Sequence, residues 1–442
     1  MRPSSGIVLN MHRLLGFFVF ASAAFAAAGV VFEQSDFRET SGWSAWSHRP
    51  DSRPRTFTDI LHSRGGPASL AISGDSNQAA YGGWQRLIPG LAAGQWYRAT
   101  VYYRADAVPA ENWQVVSRLD WRQANGQRAG EVDYIAWAER DGPWTRLTID
   151  AQAPASTAAV LWQFHLANAP QGTVYWDDLR LENIPAPAPR RVKISTVRRR
   201  PSQTKDPVGD FLATVASQVP AGSDLILLPE GITVIGTGKA YADVAETIPG
   251  PTTARLSALA RNRKAYVVAG LYEREGLVLY NTSILLDRQG ALVGRYRKVY
   301  LPAGEVEGGL TPGTGYPVFP TDFGTVGMMI CYDVMFPEPA RALASQGADV
   351  ILLPIWGGDE TLAKARAIEN GIYLVSSGYD YPSHIINPLG EILSQATKDD
   401  TVATVTLDLE RRYPLQYLGD VRTRRIKESR PDVPVSLPGL RH

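Results

Sequence analysis

A short proline-rich segment, Ile184-Pro-Ala-Pro-Ala-Pro-Arg-Arg191, divides the 442-residue sequence into two parts with different hydrophobic periodicity. Alternating prolines stiffen a chain, so this stretch is typical of a linker between domains. The length alone also predicts more than one domain. We therefore expect a first domain over residues 32–184, a linker over 185–191 and a second domain over 192–410.

The first part has the pattern of an all-β domain. Short alternating runs such as Tyr97–Tyr103 and Thr145–Ile149 are separated by Gly, Pro, Asn and Asp. Regularly spaced strands with such turns predict a β-sandwich or jelly roll. Most of the eleven tryptophans lie in this part, and for most of them packing in the core is the expected role.

Several short motifs in this part resemble carbohydrate-binding modules of the galactose-binding-like jelly-roll type. They are Phe32-Glu33, Gly42-Trp43, Trp84-Gln85, Gly94-Gln-Trp-Tyr97 and the closing strand Val174-Tyr-Trp-Asp-Asp-Leu-Arg-Leu181. The resemblance implies a possible glycan or cell-wall ligand. It also leaves two interpretations of Asp177 and Asp178, as ligands of a structural calcium ion or as a solvated turn.

The second part alternates strands with helices. Helices are predicted over Asp206–Val219, Thr252–Arg263, Pro337–Gln346 and Thr361–Asn370, between buried strands such as Val350–Pro354. This alternation predicts a layered α/β fold.

Three reactive side chains directly follow strands or a basic segment in the second part. Glu230 follows Asp224–Pro229, Cys331 follows the apolar run Val326–Ile330, and Lys298 lies between them in the chain. The carboxyl ends of strands are where α/β proteins place reactive groups. Amide hydrolysis needs a nucleophile, a group that accepts and returns a proton, and a stabiliser of the oxyanion. Cys331, Glu230 and Lys298 suit these roles in that order, and an activated Cys331 is expected to have a depressed pKa.

The motifs around these residues resemble the nitrilase superfamily of carbon–nitrogen hydrolases. They are Leu228-Pro229-Glu230, Arg297-Lys298-Val-Tyr-Leu301-Pro302 and Ile330-Cys331-Tyr332-Asp333, in the family's order. The resemblance implies an αββα four-layer sandwich, a thioester intermediate and no metal or organic cofactor. A family member that hydrolyses nitriles usually has Cys-Trp-Glu at the nucleophile, so Cys331-Tyr332-Asp333 favours linear amide or carbamoyl substrates.

Further site residues follow from this resemblance. A second glutamate is expected after Lys298, with Glu305 the best match and Glu307 close by. The backbone N–H of Tyr332 is a candidate second oxyanion donor, and Trp356 is expected to line the substrate pocket. Asp333 and Arg341 are interpreted as a supporting ion pair. Two alternatives stay open, an N-acyltransferase that uses the same thioester and a non-catalytic carbohydrate-binding protein.

Residues 1–31 have the pattern of a secretory signal, with a charged start, an apolar run and an alanine-rich end. An uncleaved membrane anchor is the alternative, and either predicts a periplasmic or extracellular protein. The single cysteine excludes an intrachain disulfide, which favours a functional thiol. The 45 basic and 44 acidic residues give no global field that would favour nucleic acid.

The tail from Arg411 to His442 is rich in Arg and Pro and has little periodicity. We expect an extended arm, which would suit the homodimer or higher homo-oligomer that the family resemblance implies.

Overall fold

The computed structural model describes residues 29–380 and 383–433. The predicted signal or anchor lies outside these residues up to position 28. Its last three positions, Gly29–Val31, belong instead to the first strand, which begins at Gly29 because the β-branched Val30 and Val31 continue the pairing of Phe32–Gln34. Among the described residues, no helix has both the length and the apolar character needed to cross a bilayer.

Twelve strands lie in the described part of the N-terminal half. They are β1 (Gly29–Gln34), β2 (Trp43–Ser47), β3 (Arg55–Asp59), β4 (Ser69–Ser73), β5 (Tyr81–Pro89), β6 (Trp96–Asp106), β7 (Val115–Arg122), β8 (Asp133–Tyr134), β9 (Trp137–Asp141), β10 (Trp144–Gln152), β11 (Ala159–Ala167) and β12 (Thr173–Ile184). One sheet has the order β3-β4-β12-β6-β10-β9 with β1 also paired to β12, and the other has the order β2-β5-β11-β7-β8. The strand pairs in both sheets are antiparallel.

The two antiparallel sheets share one buried core. Val101 and Leu147 from the larger sheet and Leu119 and Phe164 from the smaller sheet belong to the same apolar cluster. Trp176 is fully buried in it and stacks on Phe164 with ring centroids 4.6 Å apart. The aromatic residues therefore hold the two sheets together, as was expected for most of the tryptophans.

Asp177 and Asp178 are bonded within this half of the protein. Asp177 accepts hydrogen bonds from the backbone N–H of Arg64 at 2.6 Å and of Asp178 at 2.7 Å, and Asp178 pairs with the Arg64 guanidinium. Asp177 is fully buried, so the pair is not a solvated turn. A guanidinium stands where a cation would neutralise the pair, and the described ranges contain no group of three or more metal-ligating side chains. These residues do not fit a calcium site.

Within the residues that the structure describes, the C-terminal half has another twelve strands. They are β13 (Arg191–Val197), β14 (Leu225–Leu227), β15 (Tyr266–Glu275), β16 (Val278–Leu286), β17 (Leu292–Arg297), β18 (Val318–Pro320), β19 (Thr325–Met328), β20 (Val350–Pro354), β21 (Tyr373–Ser377), β22 (Ser383–Ile386), β23 (Ile392–Ala396) and β24 (Val402–Asp408). They form two six-stranded sheets, β17-β16-β15-β14-β13-β24 and β18-β19-β20-β21-β22-β23. In each sheet three consecutive strands, β13-β14-β15 and β19-β20-β21, run parallel.

Eight α-helices complete the described chain. They are α1 (Glu111–Gln114), α2 (Pro207–Gln218), α3 (Tyr241–Val244), α4 (Pro251–Arg263), α5 (Ala303–Glu307), α6 (Pro337–Ser345), α7 (Glu360–Asn370) and α8 (Val421–Glu428), and short 3₁₀ turns cover Pro50–Ser52 and Cys331–Met335. The four helices predicted for the second part are confirmed to within one residue at each end.

Side chains in the C-terminal sheets alternate between two apolar layers. Leu225 and Leu227 of β14 pack in a cluster that both sheets share, together with Leu352 of β20. The intervening Ile226 faces the cluster that contains helices α2 and α4, while Ile351 faces the cluster that contains α6 and α7. Successive residues of a strand point to opposite faces, so neighbouring residues of β14 and of β20 contribute to different apolar clusters.

The described part of the tail is not an extended arm, because residues 421–428 form helix α8. This helix packs against α7 of the C-terminal half and against α1 and β8 of the N-terminal half. Two buried cations fix it there: Arg425 donates to the backbone carbonyl of Ala344, and Lys427 donates to that of Val115. The periodicity of this segment is weak because cations occupy its buried face.

Candidate active site

The parallel strands of the two C-terminal sheets place their carboxyl ends around one cavity. Glu230 follows β14, Cys331 follows β19 and Trp356 follows β20, and each of the three lines this cavity of about 690 Å³. Residues from the ends of strands in different sheets therefore meet at one place, as the sequence predicts for Glu230 and Cys331.

Cys331 lies in a strained turn. Its φ of 45° is in the left-handed region, which is uncommon for a residue with a side chain. The fully buried Asp333 holds the turn closed by accepting hydrogen bonds from Ile330 N at 2.9 Å, Tyr300 N at 3.0 Å and Tyr296 Oη at 2.7 Å. Asp333 thereby joins the Cys331 turn to the loop after Lys298. The predicted ion pair with Arg341 is not formed, because these three donors already satisfy the carboxylate.

Lys298 is the centre of a buried cluster of charges. Its Nζ lies 2.7 Å from Glu305 Oε1 and 3.1 Å from Glu230 Oε1. The structure thus brings together Glu230, Lys298 and Glu305 at the base of the cavity. Glu305 is 7% exposed, whereas the alternative, Glu307, is exposed to solvent. The two residues lie on opposite sides of the short helix α5, a difference that spacing along the sequence did not reveal.

Asn281 is a site residue that the sequence analysis missed. It is fully buried on β16, and its Nδ2 donates to Glu230 Oε1 at 2.7 Å and to Glu305 Oε1 at 3.1 Å. Its carbonyl also accepts from Lys298 N at 2.9 Å. One feature of the sequence could have pointed to Asn281, namely the polar run Asn281-Thr-Ser283 inside an otherwise apolar strand. Buried polar side chains need hydrogen-bond partners, so such a run indicates a buried polar cluster.

The carboxylates of Glu230 and Glu305 keep the Lys298 side chain protonated. Burial alone would lower the pKa of the ammonium, but the charge of Glu230, supported by Glu305, outweighs burial and raises that pKa. Burial and the nearby Glu230 raise the pKa of Glu305, while Lys298 opposes this increase. Lys298 is therefore a permanent cation at the base of the cavity.

The expected depressed pKa of Cys331 is wrong. Burial and the negative charge of Glu230 raise the pKa of the thiol to about 12, although Lys298 and a hydrogen bond from the Trp356 backbone oppose this shift. The physical reason is that a thiolate would place a second anion beside a carboxylate. Cys331 therefore rests as a neutral thiol beside a group that can accept its proton.

Glycine at position 270 allows β15 to approach Glu230 closely. A Cβ atom added at Gly270 would lie 2.7 Å from the Glu230 Cα, closer than two carbons can pack. Gly270 N also donates to Pro229 O at 3.0 Å. The backbone that carries Glu230 is thus fixed by its neighbouring strand.

The cavity wall combines aromatic and charged side chains. Trp356 lines it as expected and packs edge-on against Tyr379. The Tyr332 ring instead packs edge-on against Phe336 and is not part of the wall. The Tyr332 backbone lies in the first turn of the 3₁₀ helix that begins at Cys331, where N–H groups have no acceptor within the helix.

Comparison with known proteins identifies the family. The model of the carbon–nitrogen hydrolase family matches residues 195–417. A nitrilase from Pyrococcus abyssi is 35% identical over 223 residues, covering 45% of this chain and 83% of that protein. The omega-amidase NIT2 of Xenopus tropicalis is 30% identical over 230 residues, covering 46% of this chain and 80% of that protein. The chain belongs to the carbon–nitrogen hydrolase family and is a hydrolase of the nitrilase and amidase type.

Solved structures of the same type were also found. An amidase from Nesterenkonia sp. AN1, solved as a mutant in complex with butyramide, is 28% identical, with a TM-score of 0.44. The match covers 51% of this chain and 94% of that one. The family model covers the C-terminal half of the chain, which is the half that carries Glu230, Lys298 and Cys331.

Proposed function

We propose that the protein hydrolyses a linear amide or carbamoyl substrate through a thioester on Cys331. The observation that carries this proposal is the continuous set of contacts from Glu305 through Lys298 to Glu230, at the base of the cavity that holds the Cys331 thiol. A nucleophile, a proton acceptor and a fixed cation thus surround the space where an amide carbonyl would bind.

The first half of the proposed reaction forms the thioester. Cys331 gives its proton to Glu230 as Sγ attacks the carbonyl carbon, so the thiolate never accumulates. The oxyanion receives hydrogen bonds from Lys298 and from the Tyr332 backbone N–H. Protonated Glu230 then returns the proton to the nitrogen, the carbon–nitrogen bond breaks, and ammonia or an amine leaves.

The second half releases the acid. Glu230 accepts a proton from a water molecule, and the resulting hydroxide attacks the thioester carbonyl. The carbon–sulfur bond breaks, and the proton on Glu230 restores the thiol. Glu230 Oε2 is suited to these transfers, because Oε1 is occupied by Lys298 and Asn281 while Oε2 accepts no hydrogen bond within the described residues. Glu305 holds Lys298 in place, and no cofactor is required.

Ammonia release from a panel of amides, ureido acids and nitriles tests this proposal. We expect release from amides or ureido acids and its loss in Cys331→Ala, with an unchanged melting temperature as the control for folding. Release that survives in Cys331→Ala would contradict the proposal. Transfer of the acyl group to an added amine, with little free acid formed, would indicate the alternative N-acyltransferase. A protein without turnover would favour a purely carbohydrate-binding role.

We further propose that the N-terminal half is a jelly-roll module and the C-terminal half a four-layer αββα sandwich, with domains at 32–184 and 192–410 joined by 185–191. The shared core of the two antiparallel sheets supports the first assignment, and the alternation of apolar layers supports the second. Residues 411–442 then form an extension. Limited proteolysis should cut first within the linker, and early cleavage inside either half would contradict these boundaries.

A glycan or cell-wall chain is the ligand that we propose for the N-terminal half. The outer face of the smaller sheet has a groove of about 620 Å³ whose wall includes Trp46 and a row of hydrogen-bonded side chains. In that row, Gln163 Nε2 donates to Gln85 Oε1 at 3.0 Å and Arg118 Nε donates to Gln163 Oε1 at 2.8 Å. Planar amides beside an indole suit a neutral polyhydroxylated chain. Calorimetric titration of Cys331→Ala with soluble glycans, beside its Gln163→Leu derivative, tests this role.

We also propose that the protein is exported and that it self-associates. Residues 1–31 would direct the chain to the periplasm or the extracellular space, as a cleaved signal or as an anchor. N-terminal sequencing of the mature protein distinguishes the two. We also propose a homodimer or a higher homo-oligomer, which light scattering at several concentrations tests directly.

A further inference from the structure

A second cavity lies where the two halves of the chain meet, and it shares no wall residue with the cavity that holds Cys331. Its volume is about 290 Å³. Trp137 at the start of β9 belongs to the N-terminal half, whereas Arg190 before β13 and residues 409–413 after β24 belong to the C-terminal half. Residues of α8 and the ends of α6 and α7 complete the wall. We call this space the junction cavity.

The wall of the junction cavity carries more positive than negative charge. Five arginines line it, against three carboxylates. These residues are Arg190, Arg411, Arg412, Arg422 and Arg425, and Asp349, Glu410 and Asp420. Asp349 and Glu410 both pair with Arg190. Asp420 pairs with Arg412 and Arg422. Each carboxylate of the wall is therefore already bound to an arginine, and two positive charges remain in excess.

Two of these arginines have no carboxylate partner among the described residues. Arg411 is exposed, and its guanidinium carbon lies 4.9 Å from the centroid of the Tyr413 ring. Arg425 is buried and donates only to backbone carbonyl groups, and its Nε has no hydrogen-bond partner within the described ranges. Burial and the nearby Arg341 lower the pKa of Arg425 to about 10, and only Asp420 opposes them. A buried cation without a full counter-charge is costly, and an anion in the cavity would offset that cost.

The wall also has N–H donors that the protein does not use. Asp420 accepts from Nε and Nη2 of Arg422, which leaves Nη1 without an acceptor in the described chain. Arg412 donates through Nη1 and Nη2, and its Nε has no described acceptor. The guanidinium of Arg411 makes no hydrogen bond to the residues that the structure describes. Donors on three separate side chains suit an anion with at least three oxygens, whereas a carboxylate has two.

We propose that the junction cavity binds a phosphate group, which Arg411, Arg412 and Arg422 hold close to the buried charge of Arg425. A phosphate dianion matches the excess of two positive charges, and its oxygens accept from several guanidinium groups at once. Inorganic phosphate and a small phosphate monoester share this chemistry. The exposed ring of Trp137 in the same wall offers a contact for the organic part of a monoester. The proposal does not depend on amide hydrolysis at Cys331.

Calorimetric titration of the full chain with sodium phosphate tests the proposal, with sodium chloride at equal ionic strength as the reference. We expect saturable binding of one phosphate per chain. Arg411→Gln should weaken this binding by about 10- to 100-fold, because a charge-assisted hydrogen bond is lost. Since Arg411 is exposed and forms no ion pair in the described chain, this variant should melt at an unchanged temperature in chloride. Arg422→Gln provides a second test within α8.

Arg199→Gln is the matched control. Arg199 is exposed and does not line the junction cavity, so this variant removes the same charge without removing a donor from the wall. Its dissociation constant for phosphate should stay within about twofold of that of the unmodified protein, because exposed charges at a distance are screened. Cys331→Ala should also bind phosphate as the unmodified protein does.

Phenyl phosphate distinguishes the two sources of the phosphate group. Tighter binding than inorganic phosphate, lost in Trp137→Ala, would support the proposal with a monoester as the ligand, and equal binding would support it with free phosphate. Heats no larger than those of chloride would overturn the proposal. Binding that Arg411→Gln leaves unchanged, or that Arg199→Gln weakens equally, would also overturn it. None of these outcomes bears on the proposed hydrolysis, which ammonia release tests separately.

Discussion

At the scale of single residues, the site depends on how an ammonium, two carboxylates and a thiol share a buried space. Lys298 is stabilised as a cation by Glu230 and Glu305, while burial together with the same Glu230 raises the pKa of the Cys331 thiol and keeps it protonated. Bringing a thiolate beside Glu230 is unfavourable until the proton has moved to that carboxylate. The reaction therefore requires proton transfer and nucleophilic attack to occur together.

Replacement of Glu230 should lower the pKa of the Cys331 thiol and at the same time slow amide hydrolysis. In Glu230→Gln burial still raises the thiol pKa, but the negative charge that adds to this shift is gone while Lys298 remains, so the pKa of Cys331 should fall below about 12. Amide turnover should nevertheless fall by about 10²- to 10⁴-fold, because no group accepts and returns the proton. Thiolate absorbance measured against pH gives the pKa, and Cys331→Ala supplies the baseline since Cys331 is the single cysteine. An unchanged or higher thiol pKa would contradict this account.

Asn281 is expected to act as a positioning residue. It lies behind Glu230 and Glu305 and does not line the cavity. Asn281→Leu keeps the shape and removes the donor, so kcat should fall by about 10- to 100-fold with little change in KM. The hydrogen bond from Asn281 lowers the pKa of Glu305, so its loss should move the acidic limb of the pH–rate profile to higher pH. A change in KM alone would indicate substrate contact instead.

The sequence was sufficient to place Glu230, Lys298 and Cys331 at one site, because each follows an element whose end faces the cavity. It was insufficient to choose between Glu305 and Glu307, since that choice depends on the orientation of the short helix α5. It also missed Asn281, whose partners come from distant segments. The expected sign of the Cys331 pKa shift was wrong because burial of the thiol and the charge of Glu230 together outweigh Lys298.

At the scale of elements, helix α8 connects the C-termini of two helices. Arg425 is buried and donates to the carbonyl of Ala344 at 2.6 Å and to that of Asn370, near the ends of α6 and α7. A cation at a helix C-terminus satisfies unpaired carbonyl groups and stabilises the helix dipole. Sequence periodicity could not reveal this helix, because its buried positions at Arg425 and Lys427 are polar.

Truncation of Arg425 should therefore be costly. Arg425→Leu removes a donor from two carbonyl groups; that of Ala344 keeps a hydrogen bond from Gly347 N, whereas that of Asn370 loses its described donor. We expect the free energy of unfolding to fall by about 1 to 3 kcal/mol. Arg430→Leu is the control, since Arg430 is exposed at the end of the same segment and pairs with Asp432; its effect should stay below about 1 kcal/mol. Chemical denaturation of both variants provides the comparison, and equal losses would contradict the capping role.

At the scale of the whole molecule, the tail joins the two halves of the chain. Lys427 donates to Val115 O of the N-terminal half, Asn112 Nδ2 donates to Ser429 O, and Arg424 pairs with Glu131. Together with the Arg425 contacts, these bonds attach one helix to both halves. The strands of the N-terminal half and the alternation of strands and helices in the C-terminal half could be predicted from periodicity, because each repeats a local pattern. Their connection through α8 rests on a few polar contacts that are distant in sequence.

The Lys427 contact should make stability depend on pH. Burial lowers the pKa of Lys427 to about 8 in the folded protein, against an ordinary value of 10.5. Between these values the unfolded chain binds a proton that the folded protein has released, so the free energy of unfolding should rise with pH across this window. The rise due to this group is on the order of 3 kcal/mol. Lys427→Met should remove it, whereas Lys205→Met, at an exposed position, should retain it. Parallel pH profiles for Lys427→Met and the unmodified protein would contradict the assignment.

The most direct test of the central claim is the partition of the acyl group between water and hydroxylamine. An amide and its N-methyl derivative with the same acyl group would be hydrolysed with hydroxylamine present, and the ratio of hydroxamate to free acid measured. If both substrates form one thioester on Cys331, the ratio is the same for both leaving groups, and Cys331→Ala forms neither product. A ratio that changes with the leaving group, or product formation by Cys331→Ala, would contradict a thioester intermediate.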